Sequence, residues 1–483
     1  MRTRLLAGLL LLSATTLAAE PPRAVPEDDA ARIAGALLVG GQALGLVEEM
    51  GDRFGARLTG TPAYSRSADW AAEKFRGWGL TVKLEPFPIL RTWQRGPARG
   101  RVLKPFEAPL HVDSMGWSAP TPKGGVRGEL VVLTDLSPEA LARVAARGKI
   151  ILFTRGARTP GAPRDPKLYG QMMRARDILA DAGAAVILVG TDADTTNNVV
   201  ATGGSGRGGD LTRLPLAALG YEDAQMLARR AAKGPITVEI ELPNRPGPAA
   251  NPPNVIAELK GERSDEFVVV GAHLDSWDFA TGSQDNGAGV AQVMDAARVL
   301  ARMGRPPRRS IRFALWGGEE QGLLGASSYV RNHEAELGGC VAVLNSDNGA
   351  GHPEGWKVQG RADVQRGLEP IARTLLAGLG AGNVDKTQTF DTDHAPFHIA
   401  GVPALDLLVD DGNYRAVHHK IGDTFDKIEE HHLAAGAAVV AVTAWAIADA
   451  PERVAPRLDR AAMEKLLEES GSLELLKRFG MWK

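Results

Sequence analysis

The chain has 483 residues, which is long for one core and favours two domains. Its 56 Lys and Arg nearly balance 58 Asp and Glu, and no long run of either sign occurs, so charge gives no indication of binding to nucleic acid or to an anionic membrane. The only cysteine, Cys340, excludes an intrachain disulfide and leaves His, Asp and Glu as the ligands for any metal.

The N-terminus has the layout of a signal peptide. Two arginines precede an apolar run from Leu5 to Leu12, and small residues end near Ala18 or Ala19. This run is too short to span a bilayer, and we expect no later stretch that approaches the required length of about 20 apolar residues. We therefore expect a signal peptide at residues 1–19 and a secreted or periplasmic protein with no membrane span.

The first half of the chain predicts helices and then a small sheet-rich domain. Helical periodicity covers residues 32–54 and 62–80, with a turn at Arg57–Pro62 between them. A strand is predicted at residues 81–89. Short apolar strands then alternate with a helix and a glycine-rich loop, at residues 129–133, 148–153, 172–183, 184–190 and 203–210. A proline-rich hinge at 242–253 ends this region.

The second half alternates strands with helices. Four continuous apolar runs suit buried parallel strands, at residues 267–273, 311–316, 341–347 and 403–409. Helical spacing occurs between them at residues 290–300 and 367–379. This alternation predicts an α/β domain with a mostly parallel central sheet and helices on both faces.

Carboxylate and imidazole side chains follow these four strands. They are His273, Asp275, Asp285, Glu319, Glu320, Asp347, His418, His419 and Asp423. Active sites in open α/β sheets collect at the carboxyl ends of the strands, so these groups are expected to converge on one edge.

Each of these residues alone has an ordinary structural explanation. Asp347 could cap a helix, Asp285 could form an Asx turn, and His273 could be a core histidine. Together they would require several strand ends to carry ligand-type residues by coincidence. Imidazole combined with carboxylate suits zinc, whereas calcium prefers shells of oxygen alone.

Seven segments in this order resemble the M28 family of two-zinc exopeptidases. They are RLTGTPAY, AHLDSWD, SQDNGAG, WGGEEQGLLGAS, NSDNG, TDHAPFHIAGVPA and HHKIGDTFDKI. The likeness is greatest to the carboxypeptidase Q branch, also called plasma glutamate carboxypeptidase.

The resemblance implies a phosphorylase/hydrolase-like zinc exopeptidase domain. That domain would be discontinuous, at residues 25–105 and 246–483. The inserted residues 106–245 resemble a small β-rich protease-associated (PA) domain. The family likeness also implies a short peptide as substrate and a homodimer.

The family's roles can be carried to matching positions of this chain. His273 and Asp347 would bind one zinc ion, Glu320 and His419 a second, and Asp285 would bridge both. The family likeness also implies a cis peptide bond after the bridging aspartate.

The remaining carboxylates of this region would then act around the metal. Glu319 would be the general base. Asp275 would orient the imidazole of His273, and Asp423 would do the same for His419. The adjacent carboxylates of Glu319 and Glu320 are thereby explained, since one points to metal and the other to water.

Substrate contacts are expected from two loops. Asp393 and His394 lie in a segment that resembles the family's cleft-lining loop, and Asp393 could accept a free α-amino group. His418 is expected beside the metal ligands. Some relatives carry an oxyanion-assisting tyrosine before this loop, where this chain has Thr389 and Phe390, so Tyr414 or His394 could substitute.

Two alternatives share the predicted fold. One is a single-zinc acyltransferase of the glutaminyl cyclase type, and the other is an inactive binding protein that lacks catalysis. Inactive relatives usually lose ligands or the base, whereas this chain keeps all six residues. A serine hydrolase is disfavoured, because the sequence around Ser205 lacks the G-x-S-x-G spacing.

Overall fold

The computed structural model describes residues 26–154, 166–191, 197–204 and 207–482. The predicted signal peptide and Ser205 lie outside these ranges. The strands, in chain order, are β1 Thr81–Pro86, β2 Trp93–Gln94, β3 Arg99–Lys104, β4 Ala108–Leu110, β5 Val112–Ser114, β6 Val126–Leu133, β7 Ile150–Phe153, β8 Val186–Gly190, β9 Leu216–Leu219, β10 Thr237–Glu241, β11 Arg245–Pro246, β12 Pro253–Leu259, β13 Arg263–His273, β14 Arg309–Trp316, β15 Cys340–Asn345, β16 Pro353–Lys357, β17 Asn383–Asp385 and β18 Ala404–Val409.

Helices connect most of these strands. They are α1 Pro26–Gly40, α2 Ala43–Phe54, α3 Pro62–Gly77, α4 Pro138–Leu141, α5 Pro166–Asp181, α6 Tyr221–Ala231, α7 Ala288–Leu300, α8 Leu324–Asn332, α9 Ala362–Ile371, α10 His394–Ile399, α11 Tyr414–Val417, α12 Glu430–Asp449, α13 Arg460–Glu469 and α14 Leu473–Phe479. A π-turn at Ser283–Gly287 leads into α7.

The large sheet has the order β1-β12-β14-β13-β15-β18-β16-β17. Its four central strands, β14, β13, β15 and β18, run parallel. Antiparallel pairing occurs where β12 meets β1 and β14 and where β16 meets β18. The four predicted parallel strands are confirmed, and the sheet as a whole is mixed.

Helices cover both faces of this sheet, as predicted. Along β13, Val268 and Val270 pack into one core, whereas Phe267 and Val269 pack into the other. The first core is closed by α1, α7 and α12, and the second by α8 and α10. The apolar run of β13 is thus explained by burial on both sides.

Helix α12 was not expected from the sequence as a long apolar stretch. It is apolar enough over its 20 residues to cross a membrane by length and composition, so the expectation of no such stretch was wrong. However, 72% of its most apolar window is buried, against α1, α7 and the large sheet. A helix that is apolar all round and enclosed by protein is a core helix.

A second sheet contains the strands of the inserted region. Its order is β4-β3-β10-β6-β7-β8-β9-β5, with β6 to β9 parallel. It begins at Arg99 and ends at Glu241, so it starts before the predicted boundary at residue 106. Its identity as a PA domain stays a prediction. The hinge returns through β11, which pairs with β2.

Candidate metal centre

The predicted ligands converge at the carboxyl ends of the central strands. His273 is the last residue of β13, and Glu320 and Asp347 lie just beyond β14 and β15. Asp285 lies in the π-turn, and His419 follows α11. All five side chains meet at one edge of the large sheet, as the parallel topology predicts.

Two groups of ligand atoms share Asp285. In the first, Nε2 of His273 lies 3.1 Å from Oδ1 of Asp347 and 3.2 Å from Oδ1 of Asp285. In the second, Nε2 of His419 lies 3.1 Å from Oδ2 of Asp285 and 3.2 Å from Oε2 of Glu320. The two oxygens of one carboxylate therefore face different histidines, which is the arrangement expected of a bridging ligand.

The backbone around Asp285 is fixed by its neighbours. The Asp285–Asn286 peptide bond is cis, which confirms the prediction. Asp423 accepts hydrogen bonds from the backbone N–H groups of Gln284 at 2.6 Å and Asp285 at 3.0 Å. The expectation that Asp423 orients His419 was therefore wrong, because both of its oxygens hold the π-turn.

The turn after β14 separates the adjacent glutamates. Gly318 adopts a positive φ of 68°, and its N–H donates to Oγ1 of Thr59 at 2.8 Å. Beyond this turn Oε2 of Glu320 approaches His419, whereas Oε2 of Glu319 lies 4.0 Å from Nε2 of His273. Glu319 thus reaches the other group of ligands.

Asp275 holds the metal edge differently from the prediction. Nδ1 of His273 lies 3.0 Å from the backbone carbonyl oxygen of Asp275, while the Asp275 carboxylate is 3.6 Å away. The carboxylate instead accepts the backbone N–H of Glu319 at 3.3 Å. The backbone of Asp275 therefore orients His273, and its side chain positions Glu319.

The two consecutive histidines stack on each other, with ring centroids 3.7 Å apart. Nε2 of His418 lies 3.4 Å from Oδ2 of Asp285, so His418 also faces the bridging residue. Of the two contacts to Glu320 that define the second group, the one at 3.2 Å comes from His419. This geometry agrees with His419 as the ligand and His418 as its neighbour.

The predicted substrate residues of the 393–394 loop are both buried. His394 is 0% exposed, and its Nδ1 lies 2.6 Å from Oγ1 of Thr392 while Nε2 lies 3.0 Å from the carbonyl oxygen of Thr389. His394 therefore holds its own loop instead of facing substrate. Asp393 is 1% exposed, and neither of its oxygens has a hydrogen bond among the described residues.

Tyr414 faces the metal cluster from α11. Its ring packs against His418 at a centroid distance of 5.0 Å. Burial raises the pKa of the phenol well above its usual value, and the nearby Asp285 and Asp347 carboxylates raise it further. Tyr414 is thus held as a protonated donor beside the ligands.

Burial and mutual repulsion dominate the electrostatics of the carboxylates. Burial raises the pKa of Glu319 well above its usual value and that of Asp347 to about 7. Burial alone would lower the pKa of His419, but Glu320 and Asp285 outweigh it and raise that pKa to about 10. A cluster of buried acids that draws protons onto its histidines attracts a multivalent cation.

A metal fits the unsatisfied atoms of this cluster. Oδ2 of Asp285 and Oε1 of Glu320 are buried and accept no hydrogen bond in the part of the chain that the structure describes. Buried polar atoms without partners are costly, so each calls for an explanation. The potential ligand atoms of each three-residue group lie within 4.8 Å of one another. Imidazole and carboxylate donors without thiolate suit zinc.

Residues outside the predicted set also shape the site. Arg57 is 0% exposed and donates to the carbonyl oxygens of Leu274, Thr281 and Gly282 at 2.6 to 2.9 Å. It therefore ties down the loop between His273 and Asp285. The turn at Arg57 was visible in the sequence, but the inward direction of its side chain was not.

Comparison with known proteins agrees with this site. The model of Peptidase family M28 matches residues 254–444. Carboxypeptidase Q of Bos taurus is 31% identical over 405 residues, which cover 83% of this chain and 84% of that protein.

Solved structures share the architecture. The crystal structure of a peptidase M28 precursor from Shewanella amazonensis SB2B superposes with a TM-score of 0.81 at 30% identity, covering 90% of this chain and 99% of that one. The zinc aminopeptidase BSAP from Bacillus subtilis shows the same fold with a TM-score of 0.64 at 23% identity, over 87% of this chain and 98% of its own. This chain belongs to peptidase family M28, the zinc exopeptidase family that its sequence resembles.

Proposed function

We propose that this protein is a two-zinc exopeptidase that hydrolyses dipeptides or terminal residues of short peptides. The observation that carries the proposal is the division of the Asp285 carboxylate between two histidines, at 3.2 Å and 3.1 Å. One zinc ion would be held by His273 and Asp347, the other by Glu320 and His419, and Asp285 would contribute to both.

Bound zinc supplies Lewis acidity, which lowers the pKa of water and polarises a carbonyl group. Glu319 accepts the proton of the attacking water and delivers it to the leaving amine nitrogen. Two observations support this role. Its carboxylate is 11% exposed and so reaches the cleft, and its backbone is held by the Asp275 carboxylate at 3.3 Å.

Two further side chains are assigned to substrate. Tyr414 donates its phenolic hydrogen to the oxyanion that develops on the scissile carbonyl. Asp393 receives a free α-amino group, since both of its buried oxygens lack hydrogen-bond partners among the described residues. An ammonium group would neutralise a carboxylate whose pKa burial raises well above its usual value. This assignment favours aminopeptidase or dipeptidase action.

We also propose that the protein acts outside the cytoplasm. The support is the signal-peptide pattern of residues 1–19. Carboxypeptidase Q of Bos taurus and the aminopeptidases among the similar proteins support peptide hydrolysis as the reaction.

The decisive experiment measures cleavage and metal on the same sample. Zinc-supplied protein is assayed on a dipeptide panel with N-blocked and C-blocked analogues, and bound zinc is quantified. We expect two zinc ions per chain, cleavage of the free dipeptides, loss of activity on chelation and recovery with zinc. One zinc ion with cyclisation of N-terminal glutamine would indicate a glutaminyl cyclase instead. Zinc binding without any cleavage would indicate a binding protein.

A further inference from the structure

A short segment of the inserted region reaches the metal centre. This rim segment consists of Ala201, Thr202, Gly203 and Gly204, after β8 and before β9. Ala201 forms an antiparallel bridge with Lys420, and the backbone N–H of Thr202 donates to the carbonyl oxygen of His419 at 2.9 Å. The insert thus hydrogen-bonds directly to the backbone of a predicted zinc ligand.

The backbone of His419 needs such support. Its φ is 60°, in the left-handed region that residues other than glycine adopt at a cost. The hydrogen bond from Thr202 fixes the carbonyl of this strained residue, and the edge of Trp277 packs on its ring at a centroid distance of 5.9 Å. Rotation of His419 out of this conformation would move its imidazole away from Asp285 and Glu320.

The glycines of the rim segment allow it to approach both ligands of one zinc position. A Cβ on Gly204 would lie 2.8 Å from the carbonyl oxygen of Glu320, closer than real Cβ atoms come. A Cβ on Gly203 would lie 3.8 Å from Nδ1 of His419. The rim segment is therefore packed against the Glu320 backbone and the His419 ring at the same time.

A buried arginine fixes the rim segment from behind. Arg95 donates to Oγ1 of Thr202 at 3.1 Å, pairs with Asp278 at 2.6 Å and also contacts Asp113 at 3.3 Å. Its side chain is only 11% exposed. Arg95 therefore joins the rim segment to β5 of the insert and to the loop that follows His273.

The other zinc position has a different support. His273 and Asp347 follow strands β13 and β15 at the centre of the large sheet. No hydrogen bond links either residue to the rim segment within the described ranges. We infer that the inserted region positions the Glu320 and His419 ligands through Thr202 and Gly204, so that zinc affinity at this one position depends on the insert. This inference rests on the two-zinc function proposed above.

The test removes the hydrogen bond and keeps the rest of the residue small. Thr202→Pro has no N–H to donate, whereas the matched variant Thr202→Ala keeps it. Zinc binding to each full-length variant is followed by competition with a chromogenic chelator. We expect Thr202→Pro to weaken one of two zinc sites by about 10- to 100-fold, as loss of a ligand-orienting contact does. The other site, and both sites of Thr202→Ala, should change by less than about twofold.

A second pair of variants applies if the proline prevents folding. Gly204→Ala keeps every backbone hydrogen bond but presses on the Glu320 carbonyl, whereas Gly338→Ala is a control with nothing within 4 Å of the added carbon. We expect Gly204→Ala to weaken the same site as Thr202→Pro. In a His419→Ala background, which lacks that site, neither rim variant should change the affinity of the remaining zinc.

The outcomes separate the two proposals. If wild-type protein never binds two zinc ions, the proposed function fails whatever the variants show. If it binds two and the folded rim variants leave both affinities unchanged, or weaken both sites alike, the inference about the insert is wrong.

Discussion

The imidazole rings of His418 and His419 stack with centroids 3.7 Å apart, yet their partners differ. His419 lies within 3.2 Å of carboxylate oxygens from Asp285 and Glu320, whereas the approach of His418 to Asp285 is 3.4 Å. We predict that His419→Ala removes one of the two zinc ions, while His418→Ala retains both with affinity reduced by about tenfold. Metal analysis of the two purified variants checks this. Loss of a zinc ion from His418→Ala alone would reverse the assignment.

Glu319 and Glu320 are expected to respond differently to the same substitution. Glu319→Gln keeps the shape of the side chain but cannot accept a proton, so turnover should fall by about 100- to 10,000-fold with zinc content unchanged. Glu320→Gln should lower zinc content as well, because its carboxylate approaches His419. The measurement is kcat together with zinc per chain for both variants. Near-normal turnover in Glu319→Gln would remove its role as general base.

Arg57 is predicted to be a major contributor to stability. Its buried guanidinium satisfies the carbonyls of the loop that follows His273, and none of these would regain a partner after Arg57→Met. We expect the free energy of unfolding to fall by about 3 kcal/mol. Arg53→Met is the control, since Arg53 is 56% exposed and its loss should cost less than about 0.5 kcal/mol. Urea denaturation of both variants measures the difference, and equal costs would contradict the prediction.

The positions of the ligands could be predicted because they follow from topology. A buried parallel strand is recognisable from its apolar run, and residues that follow such strands must share an edge, so His273, Glu320 and Asp347 were found from sequence. The contact between Thr202 and His419 could not be found in this way. It is an isolated bridge between segments more than 200 residues apart, and such a bridge has no periodic pattern.

Some side-chain roles also escaped prediction because the backbone competes for them. Asp275 was expected to bond His273 through its carboxylate, but the backbone carbonyl takes that place at 3.0 Å. Asp423 was expected to serve His419, but two unpaired N–H groups of the π-turn lie nearer. Which donor a carboxylate meets depends on distances that the sequence does not contain.

Acid is predicted to destabilise the fold through His398. This residue is 0% exposed, and burial lowers its pKa from 6.5 to about 3. The unfolded chain takes up a proton here below about pH 6.5 while the folded chain stays neutral, so the stabilisation is complete above that pH and is lost as pH falls toward 3. The loss by pH 5 is about 2 kcal/mol.

The measurement is the free energy of unfolding between pH 8 and pH 5. His398→Gln should lose less stability over this range than wild type, because its side chain does not titrate. His431→Gln, which changes an exposed histidine, should follow the wild-type curve. Parallel curves for wild type and His398→Gln would refute the assignment.

Cys340 is predicted to react only when the sheet opens. It begins β15, is 0% exposed, and burial raises the pKa of its thiol to about 12. A thiol that is both protonated and enclosed is a poor nucleophile. Since β15 lies between β13 and β18, exposure requires separation of the central strands, and labelling by a thiol reagent should be slower than in urea by at least about 1,000-fold. Because Cys340 is the only cysteine, the labelling rate reports this opening directly. The destabilised Arg57→Met variant should label faster than wild type and Arg53→Met should not, whereas rapid labelling of wild type in native buffer would show that the sheet opens locally at β15.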